Sequence, residues 1–243
     1  MLNWFLIFIV IVVLLLVFVY NVINQNEDKA IFYPTRRKLW KPDVPYKEVY
    51  LNVDDETDVC SASERKSGKN YICGWHFNNF PGKACAYFSH GNSGNISHRE
   101  YIIKMCHKLK MNLFVYDYRG YGESSSFPHK TFMREDGETG YKYLRNYCNI
   151  PSKAIIVWGE SIGGCAATHI ASKYNCGGLI LLSTFSSLDD VITYRYKGMT
   201  KTAAKFLTDF LSLRMDMIPN KHCLREVKCP VVVIHSPKDT MIP

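Results

Sequence analysis

The sequence predicts an α/β protein built on a doubly wound, mainly parallel sheet, and three observations carry that reading. Short apolar runs recur at 84–89, 113–116, 154–158, 178–182 and 230–234. They are too short for ordinary helices and carry no polar alternation, as strands buried on both faces do. Helical stretches at 99–109, 135–147 and 164–171 separate them, and such alternation supplies the crossovers that parallel strands require. Finally, Gly159-Glu160-Ser161-Ile162-Gly163 stands between an apolar run and a helix rich in small residues. A serine on such a strand-to-helix turn presents its hydroxyl at the end of the sheet. Its flanking glycines are required because a Cβ would meet the strained turn and the packed helix.

Taken from the N-terminus, residues 4–20 are continuously apolar, and Val22 and Ile23 extend the run past Asn21. That length suits one membrane-spanning anchor over residues 1–23. No basic residue precedes it and no small-residue cleavage site follows, unlike a secretory signal, and it has no polar face for a soluble helix. The net charge of +8 lies after this segment. Lys29, Arg36, Arg37, Lys38 and Lys41 follow closely, against Glu27, Asp28 and Asp43. The positive-inside tendency then places the bulk of the chain on the cytoplasmic side. Two readings of this basic cluster stand side by side, contact with anionic lipid and ordinary solvated charge.

A Pro-punctuated linker is expected over 24–45, and an α/β domain over 46–243. Within it, 46–53 alternates like a half-exposed strand, 61–70 is a polar turn, and 71–77 returns as the second strand of a hairpin. Residues from about 186 to 226 interrupt the strand–helix alternation with two amphipathic stretches, 188–196 and 202–213, whose apolar side includes Phe206, Phe210, Leu211 and Leu213. A lid over the site and a sheet-covering helix are both expected there.

Composition narrows the function. Hydrophobic residues make up 47% of 243, enough for one large core. The nine cysteines form no C-x-x-C pair and no zinc-like spacing, which points to reduced structural thiols. Lysines and arginines are spread out with no matching motif, which argues against nucleic acid. The sequon Asn95-Ile96-Ser97 falls in a loop where a glycan would obstruct the site, in keeping with a cytosolic domain.

A serine that transfers acyl groups needs donors for the oxyanion. One is expected from the backbone N–H of Ile162. The second is assigned to the N–H of Asn92, in the loop His90-Gly91-Asn92-Ser93-Gly94-Asn95 after the third strand. His90, at a strand end, is read as a brace for that loop rather than as a base. Glu160 is read as an exposed charged turn residue.

Four motifs occur in order: His-Gly-Asn-Ser-Gly-Asn at 90–95, Asp-Tyr-Arg-Gly-Tyr-Gly-Glu-Ser at 117–124, Gly-Glu-Ser-Ile-Gly-Gly at 159–164 and His-Ser-Pro-Lys-Asp at 235–239. Together they resemble the α/β-hydrolase superfamily over about residues 46–243. The nearest branch is that of the membrane-anchored α/β-hydrolase domain-containing protein 13, with proteins 12 and 17 as relatives. The resemblance implies Ser161 as nucleophile and Asp239, after the seventh strand, as the triad acid. It implies a serine esterase or thioesterase needing no metal and no organic cofactor, acting on small-molecule or lipid esters or acylated proteins at a membrane. It also implies a structural turn at 117–122, with Arg119 either in a local salt bridge or facing an acidic substrate group.

The family pattern also has an eighth strand, a triad histidine and a last helix, and no residue follows Pro243 in this sequence to supply them. His222 and His235 are the late histidines, and neither position suits the role. The expectation is therefore weak turnover by the chain as it stands. The alternative function is a catalytically impaired relative acting as a membrane-tethered binding protein.

Overall fold

A computed structural model of the chain describes residues 8–11, 14, 32–54, 59, 68–187, 190, 191, 194 and 220–242. The expected anchor and the 186–226 segment lie largely outside the described residues, as do both amphipathic stretches apart from residues 190, 191 and 194. Among the described residues no helix is long and apolar enough to cross a membrane. The chain divides into two units, Met1–Tyr33 and Pro34–Pro243. In the first, Phe8, Ile9, Val10, Ile11 and Leu14 are helical and exposed.

The second unit holds a seven-stranded sheet. Its strands are β1 (Lys47–Asn52), β2 (Tyr71–Phe77), β3 (Cys85–Ser89), β4 (Asn112–Asp117), β5 (Ile155–Glu160), β6 (Gly178–Leu182) and β7 (Val231–Ile234). Their order across the sheet is β1-β2-β4-β3-β5-β6-β7. From β4 onward every pair is parallel. The first two strands form the hairpin that their alternation predicts, in register from Lys47↔His76 to Asn52↔Tyr71. β2 also runs antiparallel to β4, so the sheet is mixed.

Three longer helices cover the sheet: α1 (Glu100–Lys108), α2 (Phe132–Lys142) and α3 (Gly163–Lys173). A short α4 (Asn220–Leu224) precedes β7. The period-2 pleat sorts side chains to two faces. Ala86, Phe88, Leu113, Val115 and Trp158 join Ile102, Ile103 and Cys106 of α1 in one core. On the opposite face Tyr87, Phe114 and Tyr116 stack, with centroids 5.3 to 6.3 Å apart. There the Tyr87 hydroxyl donates to the Gly137 carbonyl of α2 (2.6 Å).

Part of the stretch read as linker packs on this domain. Asn95 donates to the carbonyls of Thr35 and Arg37 (both 2.9 Å), and Leu39 N–H donates to Ser97 Oγ (2.8 Å). Arg36 donates to the carbonyls of Gly122, Ser124 and Ser126. Lys38 pairs with Glu48 and Glu123 (3.2 and 3.1 Å). These two basic residues therefore bind the protein itself.

Candidate active site

Ser161 follows β5 directly and precedes α3, with φ at +52°. A non-glycine residue in the left-handed region is strained and persists only where its surroundings over-determine it. Here they do: Ser161 N–H donates to Leu182 O (2.9 Å), and its carbonyl accepts from Thr184 Oγ1 (2.6 Å) and Gly164 N (3.0 Å). A Cβ on Gly163 would run into the carbonyl oxygen of Ser89, and one on Gly159 would lie 2.5 Å from the Gly164 Cα. The glycines are thus required by backbone, which cannot move aside as a flexible side chain can.

The loop after β3 lies across this turn; a Cβ built on Gly91 would sit 3.5 Å from Ser161 Cβ. The peptide joining Gly91 and Asn92 is gripped from its carbonyl side. Gly91 O accepts from His90 Nδ1 (2.7 Å) and from Arg99 Nη2 (3.1 Å). In a planar trans peptide the N–H points opposite the C=O, so these two donors aim the Asn92 N–H. Tyr121 adds a further hold, its hydroxyl donating to Asn92 O (2.7 Å) and lying 3.0 Å from Asn92 Oδ1. Ile162 immediately precedes α3, where backbone N–H groups have no intrahelical acceptor. Ser161, Ile162 and Asn92 therefore meet at one end of the sheet.

His90 is fully buried, with Nδ1 on its own loop and Nε2 at 3.3 Å from Asp117 Oδ1. That Nε2 contact lacks hydrogen-bond alignment, leaving the atom without a hydrogen-bond partner. The Nδ1 bond makes the ring a brace. Arg119 is only 4% exposed and is held by Asp136 and Glu135 (both 2.6 Å), so the local salt bridge takes it. Asn95 is buried with its amide bonded inward, which leaves no room for a glycan in the fold.

Glu160 differs from its reading as an exposed turn residue. Its Oε2 is buried without a hydrogen-bond partner and lies beside Gly91, while its charge acts on the Tyr101 hydroxyl of α1. Burial first, and this carboxylate second, push the Tyr101 hydroxyl well up. The elbow turns Glu160 under the loop, which local sequence does not reveal. Arg99, Tyr101 and Tyr121 were likewise missed, because each acts across the fold.

Asp239 lies five residues past β7, at the same end of the sheet. Its Oδ1 accepts from the N–H groups of Met241 and Ile242 (both 2.9 Å), and Oδ2 lies 3.6 Å from His235 Nε2. Those Ile242 and Met241 N–H bonds hold its carboxyl below the usual range. The His235 ring is also 3.2 Å from Ile242 O. β5 and β7 are separated by β6, so Ser161 and His235 start about 10 Å apart along the backbone spacing. Among the described residues no hydrogen bond joins Asp239 or an imidazole to Ser161. As for metals, Glu48, Cys73 and Glu123 bring ligand atoms within 4.8 Å of one another, but the Lys38 amine already serves the two carboxylates as their cation.

Comparison with known proteins bears on the family and the fold. The family model described as serine aminopeptidase, S33, matches residues 81–213. Protein bem46 of Schizosaccharomyces pombe is 32% identical over 160 residues, covering 65% of this chain and 51% of that protein. The Homo sapiens alpha/beta hydrolase domain-containing protein 17C is 30% identical over 156 residues, covering 64% and 44%. The chain spans about half the length of these two relatives. A solved esterase from Pyrococcus furiosus shares the fold at a TM-score of 0.64 and 20% identity, covering 87% of this chain and 79% of that one.

Proposed function

The chain belongs to the serine aminopeptidase S33 family of α/β-hydrolases, and from that premise we propose a membrane-anchored serine hydrolase that cleaves carboxylic ester or thioester bonds. The observation that carries this reading is Ser161 at φ +52° beneath a peptide whose N–H is aimed by two donors on its carbonyl. Ser161 Oγ attacks the acyl carbon, and the N–H groups of Ile162 and Asn92 receive the oxyanion. Water then releases the acyl group. Asp239 is the proposed triad acid, which in this family orients the imidazole that takes the serine proton. Acyl-lipids and acylated proteins are the proposed substrates, with residues 4–23 as the anchor, the 186–226 segment as lid and the domain on the cytoplasmic side.

The test is labelling by a fluorophosphonate probe with and without Ser161→Ala, alongside turnover of matched ester, thioester and peptide-amide substrates. Labelling lost in the variant, with ester or thioester preferred, is the expected result. Faster amide cleavage would move the assignment to a peptidase. Carbonate extraction and protease protection test the anchor and its orientation: release at high pH rejects the span, and full protection of the domain rejects the cytoplasmic side.

A second reading, a catalytically impaired relative that binds rather than turns over, is favoured by the His235 ring. That ring is engaged by Asp239 and Ile242 rather than by Ser161. Weak probe labelling that becomes strong in a chain extended with the family's eighth strand and histidine would support it. An ordinary enzymatic rate from the chain as given would reject it, and His222→Ala and His235→Ala would then locate the base.

A further inference from the structure

A second nucleophilic constellation lies away from Ser161, where α4 packs against α3. His169 of α3 sits with Nε2 2.6 Å from Glu138 Oε1 of α2. The same ring makes a side-chain hydrogen-bonding contact with the Cys223 thiol of α4, which also meets the Ser172 side chain. Cys223 is half-buried and so retains access to solvent. Glu138 is in turn held by Lys173 (2.7 Å) and Lys142 (3.5 Å). Thiol, imidazole and carboxylate in series are the arrangement that converts a thiol into a thiolate at neutral pH.

We propose that Cys223 is a reactive thiolate, held by His169 and oriented through Glu138, that takes small-molecule disulfides by thiol–disulfide exchange. The Cys223 sulfur attacks one sulfur of the disulfide, a new S–S bond forms and the old one breaks. The leaving thiolate takes the proton that the His169 imidazolium had held against Cys223, so a mixed disulfide, a free thiol and a neutral imidazole result.

The electrostatics around the pair agree. The contact with His169 first, and the Arg134 and His169 charges after it, pull the Cys223 thiol below its ordinary range against the effect of burial. The contacts with Cys223 and then Glu138 raise His169, while burial and Arg134 oppose this. His222, next to Cys223, has an exposed side chain. Five other thiols shift the opposite way. Burial pushes Cys106 and Cys176 up to about 12 and raises Cys73, Cys85 and Cys148 as well. The Cys176 and Cys229 sulfurs, 3.3 Å apart, are both buried.

The test uses the full chain and an aromatic disulfide, dithiobis-nitrobenzoate, whose leaving thiolate is coloured. The rate is followed from about pH 5 to 9, and peptide mass spectrometry locates the adduct. A fast phase at Cys223, absent in Cys223→Ser and retained in Ser161→Ala, is expected. Its pH midpoint should lie below that of an ordinary thiol, about 8.5. His169→Gln should return the midpoint to that value and slow the phase at about pH 6 roughly fivefold, since a less acidic thiolate is also a better nucleophile. Glu138→Gln should move the midpoint part of the way and serves alone if His169→Gln does not fold. A wild-type midpoint at the ordinary value overturns the proposal without any variant. So does a midpoint that neither substitution moves, or a fast phase mapping to another cysteine.

Discussion

At the scale of single residues, the proposed oxyanion site depends on one peptide plane. Gly91 O has two donors, and removing one lets the Asn92 N–H swing. Full loss of an oxyanion donor costs about 10²- to 10³-fold in kcat. A donor merely loosened should cost less, so Arg99→Met is expected to lower kcat for an ester about tenfold with little change in KM. A KM effect of the same size would mean that Arg99 binds substrate instead. Ser161, Ile162 and Asn92 could be proposed from the sequence because a turn with its glycines is a local signal. Arg99 and Tyr121 were not: the hydroxyl that steadies Asn92 comes from 29 residues away. Glu160 was misread for the same reason, since its burial is decided by the loop that closes over it.

Elements show the same division. The five apolar runs became parallel strands because burial on both faces leaves the same trace in any sequence. Helix starts were less legible. α2 begins at Phe132, three residues ahead of the periodic pattern, and the Phe132 ring lies under the Arg119 guanidinium at 3.9 Å. That contact is tertiary and has no local marker. The elbow offers a sharp test of backbone against side-chain packing. Gly163→Ala sets a methyl against the Ser89 carbonyl and should destabilise by about 3 kcal/mol or more, read by urea unfolding. A loss below about 1 kcal/mol would mean that β3 can retreat.

Across the whole molecule, Glu138 ties α2 to α3, and its titration predicts how stability follows pH. His169 and Lys173 outweigh burial and hold the Glu138 carboxyl down at about 2, from an ordinary 4.5. A depressed carboxylate contributes fully above its unfolded value, and the contribution fades as pH falls from about 4.5 toward 2. His169 runs the other way. Its contact with Cys223, and then with Glu138, raises it above 6.5. That contribution is complete below 6.5 and is lost as pH climbs through the folded value. The two windows overlap between about pH 5 and 6, where carboxylate and imidazolium are both charged in either state. Glu138→Gln should therefore cost most there, about 1–2 kcal/mol once solvent screening of a partly exposed carboxylate is allowed for. The gap between wild type and variant should narrow on both sides, toward pH 3 as Glu138 protonates and toward pH 9 as His169 loses its proton. Lys173 keeps part of it at the alkaline end. Chemical denaturation at about pH 3, 5.5 and 9 measures this directly. A gap constant across all three would mean that the carboxylate acts by packing, and the ion pair would then contribute nothing to the joining of α2 and α3.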